Sequence, residues 1–161
     1  MTMLQGGLVD RDAWSPVGKC SIEKTMALVG TKSAMLIMRE AYYGTTRFDD
    51  FAHRVGITKA ATSTRLSELV DAGLLTKRRY QEPGQRGRDE YVLTDAGTEF
   101  MPVVWAMFEW GRKHLSDTGL RLTHLDCGAE ATVEIRCAKG HEVPADELGV
   151  RFVRRARSET P

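Results

Sequence analysis

The chain has 161 residues, 42% hydrophobic and 28% charged, with a formal net charge of +1. Such a composition builds one main globular domain with a real core and leaves room for an appendage of a few dozen residues. It excludes any argument that the whole chain binds nucleic acid as a polycation. The opening MTMLQGGLVDRDAW has no continuous apolar stretch and carries acids, so no secretory signal is expected. No apolar run approaches the ~18 residues that span a bilayer, so no membrane partner is expected. Three cysteines, an odd number, fit a reducing cytoplasm better than a disulfide framework.

Residues 1–19, glycine-containing and weakly patterned, are expected to form a flexible arm. Ser21 is placed to cap a first helix through Val29, with Ile22, Met26 and Val29 on one face, and Gly30 closes it. Thr31 opens a second helix to about Tyr43. Its Ala34, Leu36, Ile37, Met38 and Ala41 make it apolar on most sides, as a central helix is. Thr46 as cap and Asp49 in the first turn start a third helix, striped by Phe48, Phe51, Ala52 and Val55, with Gly56 as the turn. Thr58 caps a fourth helix to Ala72, with Thr62, Leu66, Leu69 and Val70 inward. Ala60 and Thr64 point away, flanked by Lys59 and Ser63 on one side and Ala61 and Arg65 on the other.

Residues 74–80 and 89–93 read as two strands joined by the glycine- and proline-bearing tip QEPGQRGR. Thr94 then caps a long fifth helix to about His114, in which Pro102 is expected to make a bend. Phe100, Val103, Val104, Met107, Phe108 and Gly111 stripe it, with Trp105 and Trp110 alongside. From Leu120 the pattern changes to a small hairpin, residues 131–136 and 142–143, and a basic tail.

Helix, tight turn, helix and hairpin over residues 47–93 is the order of a winged helix-turn-helix. The expected fold is α+β, mainly α: a winged helix over residues 20–116, a long C-terminal dimerisation helix within it, and a small β-containing extension over 120–161. Between Arg54 and Arg88 stand eight basic residues against the acids Glu68, Asp71 and Glu82, a local excess of +5. A local excess of this kind is the footprint of a phosphate-contacting face. Double-stranded DNA is therefore the expected partner. The fourth helix enters the major groove with Lys59, Ser63 and Thr64 toward base edges and Thr58 and Arg65 nearer phosphate. Arg78, Arg86 and Arg88 on the hairpin grip the backbone or a narrow minor groove.

A series of short motifs runs through this region in order. It starts with Cys20-Ser21-Ile22-Glu23, Gly30-Thr31-Lys32, Met38-Arg39-Glu40 and Arg47-Phe48-Asp49. It goes on through Ile57-Thr58, Arg65-Leu66 with Leu69, Ala72-Gly73-Leu74-Leu75, Glu90-Tyr91-Val92-Leu93-Thr94 with Gly97, and Glu109-Trp110-Gly111. With these the span from Cys20 to about Leu115 resembles the HxlR-type regulators, a winged-helix group related to the MarR superfamily. The resemblance implies a homodimer whose interface is built by the first and last helices. It also implies a repressor on a short palindromic operator, answering a small-molecule or redox signal. Ser33 stands where the family has tryptophan, and Thr62 where it has leucine. In related regulators a cysteine at the place of Cys20 senses electrophiles or oxidants, and Lys19 beside it favours thiolate. The alternative for Cys20 is a small apolar interface residue.

Two further sets are noted. His124, Cys127, Cys137 and His141 are candidate zinc ligands on two turns, although Gly140 occupies the place of a second Cys-x-x-Cys cysteine in similar chains. The preferred reading is a degenerate ribbon that folds without metal, so no cofactor is required. A cleft between the second and last helices, lined by Met35, Trp105 and Phe108, is a candidate site for a small aromatic effector. No phosphate-binding loop, nucleophile elbow or His-Glu-x-x-His motif is present in the sequence, so no enzyme is expected. The competing function is a thiol- or metal-sensing winged helix that binds protein and not DNA.

Overall fold

The computed structural model describes residues 3–18, 20–81 and 87–152. The chain folds as two compact units, one of residues 19–133 and one joining residues 1–18 to 134–161.

In the larger unit the order is α1 (Ser21–Val29), α2 (Lys32–Tyr42), α3 (Phe48–Val55), α4 (Lys59–Asp71), β1 (Leu75–Tyr80), β2 (Arg88–Leu93), α5 (Asp95–Glu99) and α6 (Met101–His114). α2 is central and touches α1, α3, α4, α6 and β2. Its Ala34, Ile37 and Met38 meet Phe51 of α3, Leu66 and Leu69 of α4, Leu75 of β1, and Met101 and Val104 of α6 in one core. With Val29 of α1, residues from five helices and a strand converge there because each contributes apolar surface that needs covering.

Two helix starts follow the expected capping chemistry, whereas α1 does not: Cys20, not Ser21, is its N-cap, and no side chain caps it. Thr31 Oγ1 accepts from Ala34 N at 3.2 Å and Thr58 Oγ1 from Ala61 N at 3.1 Å. The start of α3 differs from expectation: Arg47, not Thr46, is the N-cap, and no side chain caps it. Thr46 is drawn elsewhere, its carbonyl accepting from Tyr91 N at 2.8 Å. Arg47 bridges to Glu90, which lays the α2–α3 connection along the outer edge of β2.

The expected long last helix is two helices. α5 ends at Glu99, and α6 begins with Pro102 in its first turn. In a continuous helix Pro102 would owe an N–H to the Thr98 carbonyl. It has none, and restarting at Met101 puts it where a first-turn N–H is unpaired anyway.

β1 and β2 form an antiparallel ribbon in the register Leu75↔Leu93, Lys77↔Tyr91, Arg78↔Glu90, Arg79↔Asp89 and Tyr80↔Arg88. On β1 only Leu75 is fully buried, so the ribbon is rooted in the core and projects from it. Its root is tied to α5. The Thr94 hydroxyl donates to Gly73 O at 2.6 Å and accepts from Gly97 N at 3.0 Å.

The expected strands at 131–136 and 142–143 do not form; single bridges, Thr123↔Glu130 and Arg136↔Glu142, take their place. Residues 132–136 are exposed throughout, so a longer ladder there would bury no apolar face. In the smaller unit, residues 3–18 carry a 3₁₀ turn, Gly6–Leu8, with Leu8 buried. Leu4 bridges to Val150, and the Trp14 indole donates to Leu8 O at 3.1 Å.

Candidate nucleic-acid interface

α3 and α4 are joined by a three-residue turn, Gly56-Ile57-Thr58. Gly56 lies at φ +71°, a conformation that strains any side chain, and its N–H donates to Ala52 O at 3.1 Å. Thr58 then caps α4, and Thr62, Leu66 and Leu69 bury its inner face. Thr58, Lys59, Ser63 and Thr64 are consequently all exposed along the first two turns. Thr64 spends its O–H on Ala60 O at 3.2 Å, which leaves it chiefly an acceptor.

The Lys59 ammonium is bound by Asp49 of α3 at 2.7 Å. Asp49 also lines a groove of about 530 Å³ whose other walls are Arg47, Arg79, Gly87 and Arg88 with Asp50 and Asp89. Through Asp49, then, the start of α4 and the base-bearing side of the ribbon share one surface. The Lys59 hydrogen bond and charge, with a smaller contribution from Arg88, hold the Asp49 carboxyl below the usual carboxylate range.

Two of the ribbon's cations are paired across the strands, Arg78 with Glu90 at 2.6 Å and Arg79 with Asp89 at 3.7 Å. Arg47 lies over the Tyr80 ring at 4.8 Å. Arg88 is exposed at the outer end. Arg86 lies outside the described residues.

Arg65 stands apart from this set. It pairs with Glu68, is half-buried, and lines a separate cleft with Ala27 and Leu28 of α1.

Sequence reasoning assigned Asp49 only a helix-dipole role and gave Arg47, Asp89 and Glu90 none. The signal for the last two was present: Arg78-Arg79 and Asp89-Glu90 fall opposite one another once the hairpin register is fixed.

Cys20 is the N-cap residue of α1, half-buried, its carbonyl accepting from Lys24 N at 3.2 Å. Lys19 lies outside the described residues. Beyond Cys20, α1 exposes Ile22 and Met26, and α6 exposes Val103, Met107 and Trp110, each set at helical spacing on one stripe.

A cleft of about 510 Å³ opens between α2, α6 and residues 120–133. It is lined by Tyr42, Tyr43, Trp105, Phe108, Leu122 and Val133 among others. Tyr42 and Trp105 meet edge to face at 4.5 Å. Met35, expected there, packs against the core instead.

Of the candidate metal ligands, His124 Nδ1 and Cys127 Sγ stand 3.2 Å apart on a tight turn closed by Gly128. Cys137 and His141 sit on a second such turn, Cys137 N donating to His141 O at 2.9 Å. Among the described residues no three His, Cys, Asp or Glu side chains are grouped as a metal ion requires. Among these residues, too, no helix is long and apolar enough to cross a membrane.

A helix-turn-helix followed by a two-stranded basic ribbon defines the winged helix-turn-helix class, the architecture of many transcription regulators. The chain belongs to the HxlR-like helix-turn-helix family, whose model matches residues 28–119. An uncharacterized HTH-type transcriptional regulator of Mycobacterium tuberculosis is 33% identical over 129 residues, 78% of this chain and 80% of that protein. The crystal structure of PA1607, a proposed transcription factor, superposes with a TM-score of 0.72 at 27% identity, covering 86% of this chain and 97% of that one. The redox regulator HypR in its reduced form superposes with a TM-score of 0.53 at 27% identity, over 58% of this chain and 92% of its own. The protein is a transcriptional regulator of the HxlR helix-turn-helix family.

Proposed function

We propose that the protein is a homodimeric, sequence-specific DNA-binding repressor that acts in the cytoplasm on a short palindromic operator. The observation that carries this reading is the single surface on which Asp49 joins the exposed start of α4 to the arginines of the ribbon. α4 enters the major groove with Lys59, Ser63 and Thr64 toward base edges and Thr58 toward phosphate. Arg78 and Arg88, with Arg86 by sequence, hold the backbone and supply most of the affinity. Arg65 is given no DNA contact, because its side chain, paired with Glu68, is only 24% exposed, whereas that of Arg78 is 66% exposed.

The dimer is built on the stripes of Ile22 and Met26 and of Val103, Met107 and Trp110, which a monomer leaves in water. A two-fold dimer spaces its two α4 helices by about one DNA turn, roughly 34–36 Å, and so favours a palindrome. Bound there, it represses by excluding other proteins. Its output is binding, with no chemical turnover and no required cofactor.

Two inputs fit this arrangement. Cys20, at the edge of the α1 stripe, is placed for alkylation by an electrophile, with loss of the thiol proton. The redox regulator among the structural relatives supports an input of that kind. A flat aromatic molecule suits the Tyr42–Trp105 cleft.

Selection of bound sequences from a random duplex library, with reduced and oxidised protein side by side, tests the function. A palindrome enriched only by reduced protein supports a thiol-switched regulator; enrichment in both states points to the aromatic cleft as the input. No enrichment at low salt overturns DNA binding in favour of a protein-interaction module.

A further inference from the structure

Lys59 and Asp49 are both largely exposed, with side-chain accessibilities of 76% and 68%, yet they meet at 2.7 Å. An ion pair this exposed contributes little to fold stability, so stability does not account for it. Its position is informative. It ties the first turn of α3 to the first turn of α4, at the point where α4 offers its first cation. A lysine on four rotatable bonds is otherwise free to swing to any phosphate within reach.

We propose that Asp49 is a specificity-determining residue, a carboxylate that pins the Lys59 ammonium in one direction so that it reads a base edge. The inference rests on the DNA-binding reading above. An ammonium has three donors, and a bond to Asp49 leaves two for an acceptor such as guanine O6 or N7. On an operator with that acceptor in place the pinned lysine bonds without first being ordered. On arbitrary DNA it is held away from the backbone, and one counterion-releasing contact is lost. Asp49 acts through Lys59 and is a positioning residue.

The test uses the full chain and its Asp49→Asn and Asp49→Glu variants, with Lys59→Ala backgrounds, folding checked by circular dichroism. Each protein is put through sequence selection and titrated with a short random-sequence duplex at several salt concentrations. For Asp49→Asn, preference at one operator position falls about fivefold. Its binding to random duplex gains about one phosphate contact, steepening the salt slope by about 0.9, a further threefold loss between 50 and 200 mM. Asp49→Glu retains the carboxylate and the wild-type slope. In the Lys59→Ala background the Asp49→Asn change has no effect.

Wild-type preference and slope in Asp49→Asn, with the wild type binding DNA normally, overturn the proposal alone. Equal tightening with and without Lys59 also overturns it, by showing that Asp49 repels phosphate directly. A wild type that selects no sequence and binds no duplex at low salt removes the DNA-binding reading, and the proposal falls with it.

Discussion

Gly97 lies where α5 presses onto the root of the ribbon, and a Cβ there would run into the carbonyl oxygen of Leu74. The obstacle is backbone, which cannot step aside as a flexible side chain can. Gly97→Ala is expected to cost about 2 kcal/mol or more, read as a lowered urea midpoint with an unchanged slope. Thr94 next to it serves two ends at once, capping α5 and bonding the Gly73 carbonyl. Thr94→Ala should cost about 1 kcal/mol and Thr94→Ser much less. Asp117 shows the same economy in charge. Its hydrogen bonds from Arg121, then from Gly119 N, hold its carboxyl below the usual range. A depressed folded pKa means stability that is present above the unfolded value and lost as pH falls through the folded one. Asp117→Asn should therefore lower the thermal midpoint slightly in the neutral range and leave it nearly unchanged in strong acid, so that the acid limb flattens.

At the scale of elements, α4 does two jobs on opposite faces. Leu66 and Leu69 are fully buried, while Lys59 and Ser63 are exposed. The faces are separable by mutation. Leu66→Ala should cost about 2–5 kcal/mol through the cavity it leaves and leave the sequence preference of the folded fraction intact. Ser63→Ala should do the reverse, changing the selected sequence with little effect on the urea midpoint. The ribbon differs again, since only its root is buried. Arg88→Ala is expected to weaken binding to all duplexes alike and to reduce the salt slope by about 1, as a backbone contact does. The separation of α5 from α6 belongs to this scale as well: a proline that a propensity argument would turn into a bend in one helix instead starts a second.

For the whole molecule, the dimer proposed above rests on the outward stripes of α1 and α6. Met107→Glu puts a charge in the middle of the α6 stripe, and sedimentation equilibrium is expected to find a monomer. Palindrome affinity should fall with it, because two half-sites are then bound independently, whereas half-site binding should persist. A variant that remains dimeric would place the interface elsewhere.

Much of this architecture was legible in the sequence because it depends on local rules. Thr31 and Thr58 as caps, Gly56 as a left-handed turn, and the inward spacing of Thr62, Leu66 and Leu69 need no knowledge of distant residues. The order helix, turn, helix, hairpin follows from them, and so does the family resemblance. Other features were settled only by tertiary contact. Thr46 is recruited by β2, so its capping chemistry goes unused, and Arg65 is paired with Glu68.

The charge of the interface shows the division best. The +5 excess between Arg54 and Arg88 is a true count along the chain. Asp49, Asp89 and Glu90 lie outside that window and fold back onto Lys59, Arg79 and Arg78. Sequence determines which charges a segment carries. Which of them are free to meet a phosphate depends on pairs brought together by helix crossing and strand register, because Coulomb interactions act across space and not along the chain.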